Sequence, residues 1–177
     1  MQALVVSTAL KPSSKTLTAA RAVVARLQAG GLDVDLADLA TESLPQCDGG
    51  SCYQNAEVNA MTARVKAAQL IVLCFPVYNY QPNAAAKNFV EVTNDGWKDK
   101  VVSFVANAGG DRSYLAPLSL ATALMVDHRC LVVPQFLYLP PAAYGSGGEV
   151  LLEGLTGELF ELQMTSATYL ARSWAGR

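Results

Sequence analysis

The sequence predicts an α/β architecture, a five-stranded parallel sheet of order 2-1-3-4-5 sandwiched between helices. Three observations support that expectation. Short apolar runs recur without polar interruption at Ala3–Val6, Leu70–Phe75 and Leu131–Val133, as strands covered on both faces require. Stretches with apolar residues at helical spacing separate them, and strands that alternate with helices pair in parallel through right-handed crossovers. The chain is 51% apolar and only 16% charged over 177 residues, so it can build a sizeable core and is not intrinsically disordered. That length suits one domain, residues 1–177, with five strands rather than six.

Ala3-Leu4-Val5-Val6 is the first strand. From Lys15 to Ala29, Leu17, Ala20, Val24 and Leu27 keep helical spacing, and Gly30-Gly31 stops the helix. Leu32 to Leu36 alternates with Asp33 and Asp35, which marks a strand with one wetter face near a sheet edge. Residues 37–57 are irregular and contain Pro45, Gly49 and Gly50. Helical spacing returns at Val58, Met61, Val65 and Ala68, and Leu70 to Phe75 is the strongest buried-strand signal. A helix follows from Asn83 to Thr93, then a fourth strand from Val101 to Val105. Ser113 to Val126 reads as a strongly apolar helix, and Leu131–Val133 as a fifth strand ended by Pro134. Gly145-Ser146-Gly147-Gly148 reads as a flexible connection. Leu155, Leu159, Leu162, Ser166 and Tyr169 trace a last amphipathic helix.

Charge and composition exclude several classes. Thirteen Lys and Arg against fifteen Asp and Glu give a net charge of -2, so no basic excess calls for nucleic acid. The longest apolar stretch, Leu70 to Tyr78, is broken by Pro76 and falls far short of the roughly 20 residues a membrane span needs. Met1 to Val6 lacks a basic segment and a long apolar one, so no secretion signal is expected and a cytoplasmic protein is the default. Cys74 and Cys130 sit in apolar strand-like runs, where a thiol acts as a small hydrophobe.

In an open α/β sheet, ligands bind beyond the carboxyl ends of the strands where the order reverses, here beside the first and third strands. Three loops lie there. The first, Ser7 to Thr16, holds five hydroxyls and two lysines: Ser7, Thr8, Lys11, Ser13, Ser14, Lys15 and Thr16. It leads into a helix, whose free N–H groups and positive dipole end favour an anion. A plain N-cap needs one hydroxyl, so the surplus favours a phosphate site. The nucleoside triphosphate and dinucleotide glycine spacings are both absent. The second loop, Pro76-Val77-Tyr78-Asn79-Tyr80, is bent between prolines and suits the flank of a planar ring, the alternative being an exposed turn. The third, Asn107-Ala108-Gly109-Gly110, lets backbone approach a ligand closely, although a glycine pair alone is only a turn signal.

Pro76-Val77-Tyr78-Asn79, followed by Ala85-Ala86-Lys87-Asn88-Phe89, resembles the Pro-x-Tyr-Asn … Leu-Lys-Asn pattern of the flavodoxin-like NAD(P)H-dependent FMN reductases. That family includes FMN, quinone, chromate and azo-dye reductases. The first loop is similar to its Ser-x-Arg-x-x-Ser phosphate loop, and Ala108-Gly109-Gly110 to its glycine pair. The resemblance extends in order along nearly the whole chain. It departs at Lys11, which stands for the arginine and cannot bind bidentately, and at Glu91, where the acid after the helix is shifted.

The resemblance implies a flavodoxin-like fold with FMN as cofactor and NADPH or NADH as co-substrate. It implies that Ser7, Lys11, Ser14 and Thr16, flanked by Ser13 and Lys15, hold the FMN phosphate. Pro76, Val77, Tyr78 and Asn79, with Tyr80, line the isoalloxazine, and Asn107, Ala108, Gly109 and Gly110 close its other side. Hydride passes from nicotinamide to flavin N5 and then to a small acceptor such as flavin, a quinone or an azo compound. The cofactor carries that chemistry, so no catalytic acid or base is required. Lys87 lies on a helix that forms a dimer face in the family. The alternatives are a flavodoxin-type electron carrier and a non-catalytic FMN-binding protein.

Rival chemistries lack residues. His128 is the single histidine, and at a helix C-terminus it is expected to complement the dipole rather than serve a triad or zinc. Cys47 and Cys52 are too few for an iron–sulfur cluster, which takes about four thiolates. They are expected to be two unrelated loop cysteines, the alternative being a surface thiol pair or a reactive thiol, with no metal and negligible iron. Leu115, Leu118, Leu120, Leu124 and Met125 exceed what one helix face can bury on a sheet, which points to a homodimer or homotetramer.

Overall fold

The computed structural model describes residues 1–174. Its elements are β1 (Gln2–Ser7), α1 (Lys15–Ala29), β2 (Asp33–Asp38), α2 (Ala56–Ala67), β3 (Leu70–Tyr78), β4 (Gln81–Pro82), α3 (Ala84–Val92), β5 (Val101–Asn107), α4 (Leu118–His128), β6 (Leu131–Val132), β7 (Leu137–Leu139) and α5 (Gly154–Trp174). The main sheet has the order β2-β1-β3-β5-β6, with every neighbour parallel. β7 extends the last position beside β5. This is the expected 2-1-3-4-5 order with its fifth strand in two pieces.

The central strands alternate between two cores. Ala3, Val5, Leu70, Val72 and Cys74 pack under α1 and α5, while Leu4, Val6, Ile71, Leu73 and Phe75 pack under α2, α3 and α4. A strand apolar at every position is thus the condition for a sheet with helices on both faces. β2 is the edge strand, and its exposed Asp35 takes Arg64 of α2 at 2.7 and 3.0 Å. Helix α1 is capped by Ser14, whose Oγ accepts the Leu17 N–H at 3.1 Å. It ends where Gly31 takes φ +79°, a conformation costly for other residues.

Three expectations need correction. The apolar helix starts at Leu118, not Ser113, because Pro117 has no N–H to give a helix interior and suits only a helix start; residues 113–117 close turns ahead of it. The fifth strand does not simply end at Pro134. It resumes at Leu137, and the gap is bridged by Gln163 of α5, whose Nε2 donates to the carbonyls of Phe104 and Gln135 and to Ser103 Oγ. The last helix buries a different face from the leucine stripe: Phe160, Gln163, Met164, Ala167 and Ala171 face the sheet, while Leu155, Leu159, Leu162 and Tyr169 are exposed.

Candidate functional site

The loops after β1, β3 and β5 converge at the carboxyl edge of the sheet. Parallel pairing sets this: Ser7 lies opposite Cys74, and Pro76 opposite Asn107. The three loops expected from sequence are therefore neighbours.

The first loop is anchored at both ends. Ser7, the last residue of β1, is fully buried, and its Oγ has no hydrogen-bond partner among the described residues. The next residue is tied down twice. Thr8 Oγ1 donates to Asn83 Oδ1 at 2.7 Å, and Asn83 Nδ2 donates to the Thr8 carbonyl at 2.7 Å. The loop then leaves these buried contacts for the surface, with Leu10, Lys11 and Ser13 exposed. Ser13 takes φ 55° before Ser14 caps α1. The hydroxyls thus divide. Thr8 and Ser14 have structural partners, Ser7 and Thr16 are buried at the two ends of the loop, and Ser13 is exposed in the stretch that carries Lys11 and Lys15.

The second loop is a hairpin. β3 turns back into β4 through Asn79 and Tyr80, both at positive φ (50° and 63°), with Tyr78 opposite Gln81 and Val77 opposite Pro82. Two central residues at positive φ match the twist of a two-residue hairpin. Tyrosine is a poor choice there, and left-handed backbone at a non-glycine residue costs about 1 kcal/mol or more. Tyr78 and Tyr80 are both 63% exposed. The Pro76 carbonyl accepts the Asn83 N–H at 3.1 Å, which fixes the hairpin to α3.

The third loop is held by two tyrosines that the sequence did not single out. Asn107 is buried; its Nδ2 donates to the Phe75 carbonyl at 3.4 Å and its Oδ1 accepts from the Tyr144 hydroxyl. That hydroxyl also lies 3.2 Å from the Lys15 carbonyl, and Lys15 Nζ sits 4.7 Å over the Tyr144 ring. Burial pushes the Tyr144 phenol up from its ordinary range, so it stays a donor. Tyr138 donates to the Gly110 carbonyl and lies 3.0 Å from Ser113 Oγ. Gly109 and Gly110 are not at positive φ, and a Cβ on either would meet nothing within 4 Å. Neither backbone conformation nor neighbouring chain demands glycine there.

Asn83, Tyr138 and Tyr144 are the site residues that sequence reading missed. Asn83 sits at the N-cap position of α3 but makes no side-chain cap bond; its amide is spent on Thr8. Tyr144 is carried by Gly145-Ser146-Gly147-Gly148, which is not a loose connection. The Tyr144–Val150 bridge and the Gly145 N–H to Glu149 carbonyl bond close it into a turn. His128 lies at the end of α4, where its carbonyl accepts from Asp99 ahead of β5, at the opposite edge of the sheet.

A concavity of about 260 Å³ adjoins the first loop, between Leu10, Leu39, Leu44 and the start of α3 at Ala84, Ala85 and Asn88. One of about 440 Å³, beside Thr62, Lys66 and Asp95, contains no residue of the three loops. Among the described residues no group of three or more His, Cys, Asp or Glu could hold a metal. The edge can thus bind an anion at a helix start and flank a planar ring; its three loops contain no histidine.

Such a fold is flavodoxin-like: it is that of an archaeal flavodoxin (TM-score 0.64, 16% identity, 96% of this chain and 99% of that one). Residues 1–165 match the model of the NADPH-dependent FMN reductase family, and the chain belongs to that family. It is 30% identical over 119 residues to the NADPH azoreductase of Bacillus sp. (strain OY1-2), covering 66% of this chain and 67% of that protein. Its fold is that of RosB with bound 8-demethyl-8-formylriboflavin-5'-phosphate (TM-score 0.80, 16% identity, 99% of this chain and 81% of that one). It is also that of FerB, the NAD(P)H:(acceptor) oxidoreductase of Paracoccus denitrificans (TM-score 0.74, 19% identity, 97% of each chain). The protein is an NAD(P)H-dependent flavin oxidoreductase with FMN as its cofactor.

Proposed function

We propose that the chain passes hydride from NADPH or NADH to FMN held at the carboxyl edge, and thence to a small acceptor such as flavin, a quinone or an azo compound. The azo compound is included because the matched Bacillus protein is named an azoreductase. The observation that carries the placement is Ser7 Oγ, a buried hydroxyl with no partner among the described residues, at the start of the loop that leads into α1. Burying a hydroxyl without a partner is costly, and a phosphate oxygen would relieve the cost.

The donor set fits that group. Ser7, Ser13, Ser14 and Thr16 offer hydroxyls, Lys11 and Lys15 offer ammonium groups, and residues 7–17 contain no carboxylate. Ser14 Oγ accepts from Leu17 and keeps its own proton for a phosphate oxygen. FMN, when bound, supplies the hydride chemistry itself. The chain's share is orientation. Pro76, Val77, Tyr78, Asn79 and Tyr80 would form one wall, its backbone shaped by the positive-φ turn and tied to α3 through the Pro76 carbonyl. Asn107, Ala108, Gly109 and Gly110 form the other, and the open space before both glycines suits close approach of a flat ring. Free backbone N–H groups of these loops would stabilise charge that develops on a bound ring.

In this reading residues 1–177 act as one flavin-binding unit in the cytoplasm, with no nucleic-acid or membrane partner. No described helix is long and apolar enough to cross a membrane. The unit is a homodimer or homotetramer. α4 exposes Leu118, Met125 and Val126 on one face of the sandwich, and α5 exposes Leu155, Leu159, Leu162 and Tyr169 on the other, which suits two interfaces. Sedimentation should give a multiple of 18.8 kDa; a monomer at working concentration contradicts this. The functional test is anaerobic titration of the FMN-loaded protein with NADPH and with NADH. Bleaching of the flavin absorbance by at least one is expected, and none by either would sink the reading.

A further inference from the structure

The segment between β2 and α2 holds two thiols that flavin chemistry does not use. Cys47 and Cys52 are not unrelated: their Sγ atoms lie 4.0 Å apart, in contact. The turn between them is built by Asp48. Its carboxylate accepts the Gly50 N–H at 2.9 Å, the Cys52 N–H at 3.0 Å and the Ser51 hydroxyl, which winds residues 48–52 back over Cys47. Cys47 is clamped in turn to α3. Its N–H donates to Asn88 Oδ1 at 2.8 Å, and Asn88 Nδ2 donates to the Pro45 carbonyl at 2.9 Å.

The two thiols are unequal. Cys52 is buried against Val58 and Val92, whereas Cys47 is only half-buried and can be reached. The Tyr53 hydroxyl lies 3.5 Å from Cys47 Sγ. That phenol and the Gly49 N–H hold the Cys47 thiol below its ordinary value, with Glu91 of α3 opposing and the Cys52 thiol helping. Burial pushes Cys52 up. The remaining thiols are inert by burial, Cys130 at about 11 and Cys74 higher still.

We propose that Cys47 and Cys52 form a peroxide-oxidisable dithiol, in which Cys47 attacks and Cys52 resolves. The Cys47 thiolate displaces hydroxide from hydrogen peroxide and becomes a sulfenic acid; the hydroxide takes a proton and leaves as water. Cys52 sulfur then attacks Cys47 sulfur, the sulfenic oxygen leaves as a second water with the Cys52 proton, and the S–S bond closes. Peroxide is reduced by two electrons, and the two thiols together lose two electrons and two protons. The sulfurs are already in contact and must close to the bonded distance of about 2 Å. Peroxide is the sole oxidant, so the dithiol reacts independently of the flavin site.

The test exposes the purified full chain to hydrogen peroxide at neutral pH, followed by alkylation, intact mass and peptide mapping. An intramolecular Cys47–Cys52 disulfide is expected, reversed by dithiothreitol, with Cys74 and Cys130 still free. Cys52→Ser should stop at a sulfenic acid on Cys47 that dimedone traps, and Cys47→Ser should leave Cys52 unreacted. Tyr53→Phe should slow the first step about fivefold at neutral pH, the worth of one hydrogen bond, and the difference should vanish once pH exceeds the free thiol's range. Three results would each overturn the proposal: both thiols intact at a dose that fully oxidises free cysteine, a disulfide between chains, or sulfenic acid forming on Cys52 in Cys47→Ser.

Discussion

Replacing Asn83 with alanine removes one side chain that ties together two of the three loops. The amide makes both bonds of the pair with Thr8, each 2.7 Å, and both residues are buried. Its loss leaves the Thr8 carbonyl without that donor and the Thr8 hydroxyl without its acceptor. An unpaired buried group costs about 1–3 kcal/mol. The hydroxyl can rotate and the vacated space is polar enough for water, so the two together should cost about 2–3 kcal/mol. No capping loss adds to this, because Asn83 makes no side-chain cap bond on α3. In a chain of this size each kcal/mol shifts Tm by roughly 2–4 °C, so Tm should fall by roughly 4–12 °C. The assay is thermal and urea unfolding of FMN-free protein for Asn83→Ala, Thr8→Val and the double variant. The double variant should be less damaged than the sum of the singles by about 1 kcal/mol or more. FMN affinity should fall in Asn83→Ala, since Thr8 adjoins Ser7. Additive losses, or a Tm within about 2 °C of the parent, would refute the reasoning.

Other outcomes follow from the same geometry. Tyr144→Phe keeps the ring under Lys15 but removes the donor to Asn107 and to the Lys15 carbonyl; stability should drop by about 1–2 kcal/mol, and FMN titration should show several-fold weaker binding. Gly109→Val should leave unfolding within about 0.5 kcal/mol of the parent, since a Cβ there meets nothing. The same variant should weaken FMN binding at least about tenfold, or 1.4 kcal/mol, because its side chain fills the space before the loop.

Much of the fold was legible because a twice-covered parallel strand announces itself in composition: Leu70 to Phe75 has no polar residue to misplace. What was not legible depended on partners far along the chain. The split of the fifth strand rests on Gln163, 60 residues from Ser103, and no local pattern marks that glutamine as a substitute for ladder hydrogen bonds. The buried face of α5 was missed because it is built from Phe160, Met164 and two alanines, while the larger leucines lie outside. At the site, the three loops were found from the topology rule, yet the residues that brace them, Asn83 and Tyr144, come from 75 and 37 residues away. The Cys47–Cys52 turn carried a readable sign in Asp48-Gly49-Gly50-Ser51, a run that favours an aspartate-anchored turn.

The placement of FMN on the first loop is most directly tested at Ser7. Ser7→Ala removes a buried hydroxyl that has no partner among the described residues, so FMN-free protein should be as stable as the parent or more so. A hydrogen bond to a charged group is worth about 1.5–3 kcal/mol, so FMN binding should weaken roughly ten- to hundredfold, while binding of riboflavin, which lacks the phosphate, should not change. Equal FMN affinity in parent and variant, with the fold intact, would contradict the placement.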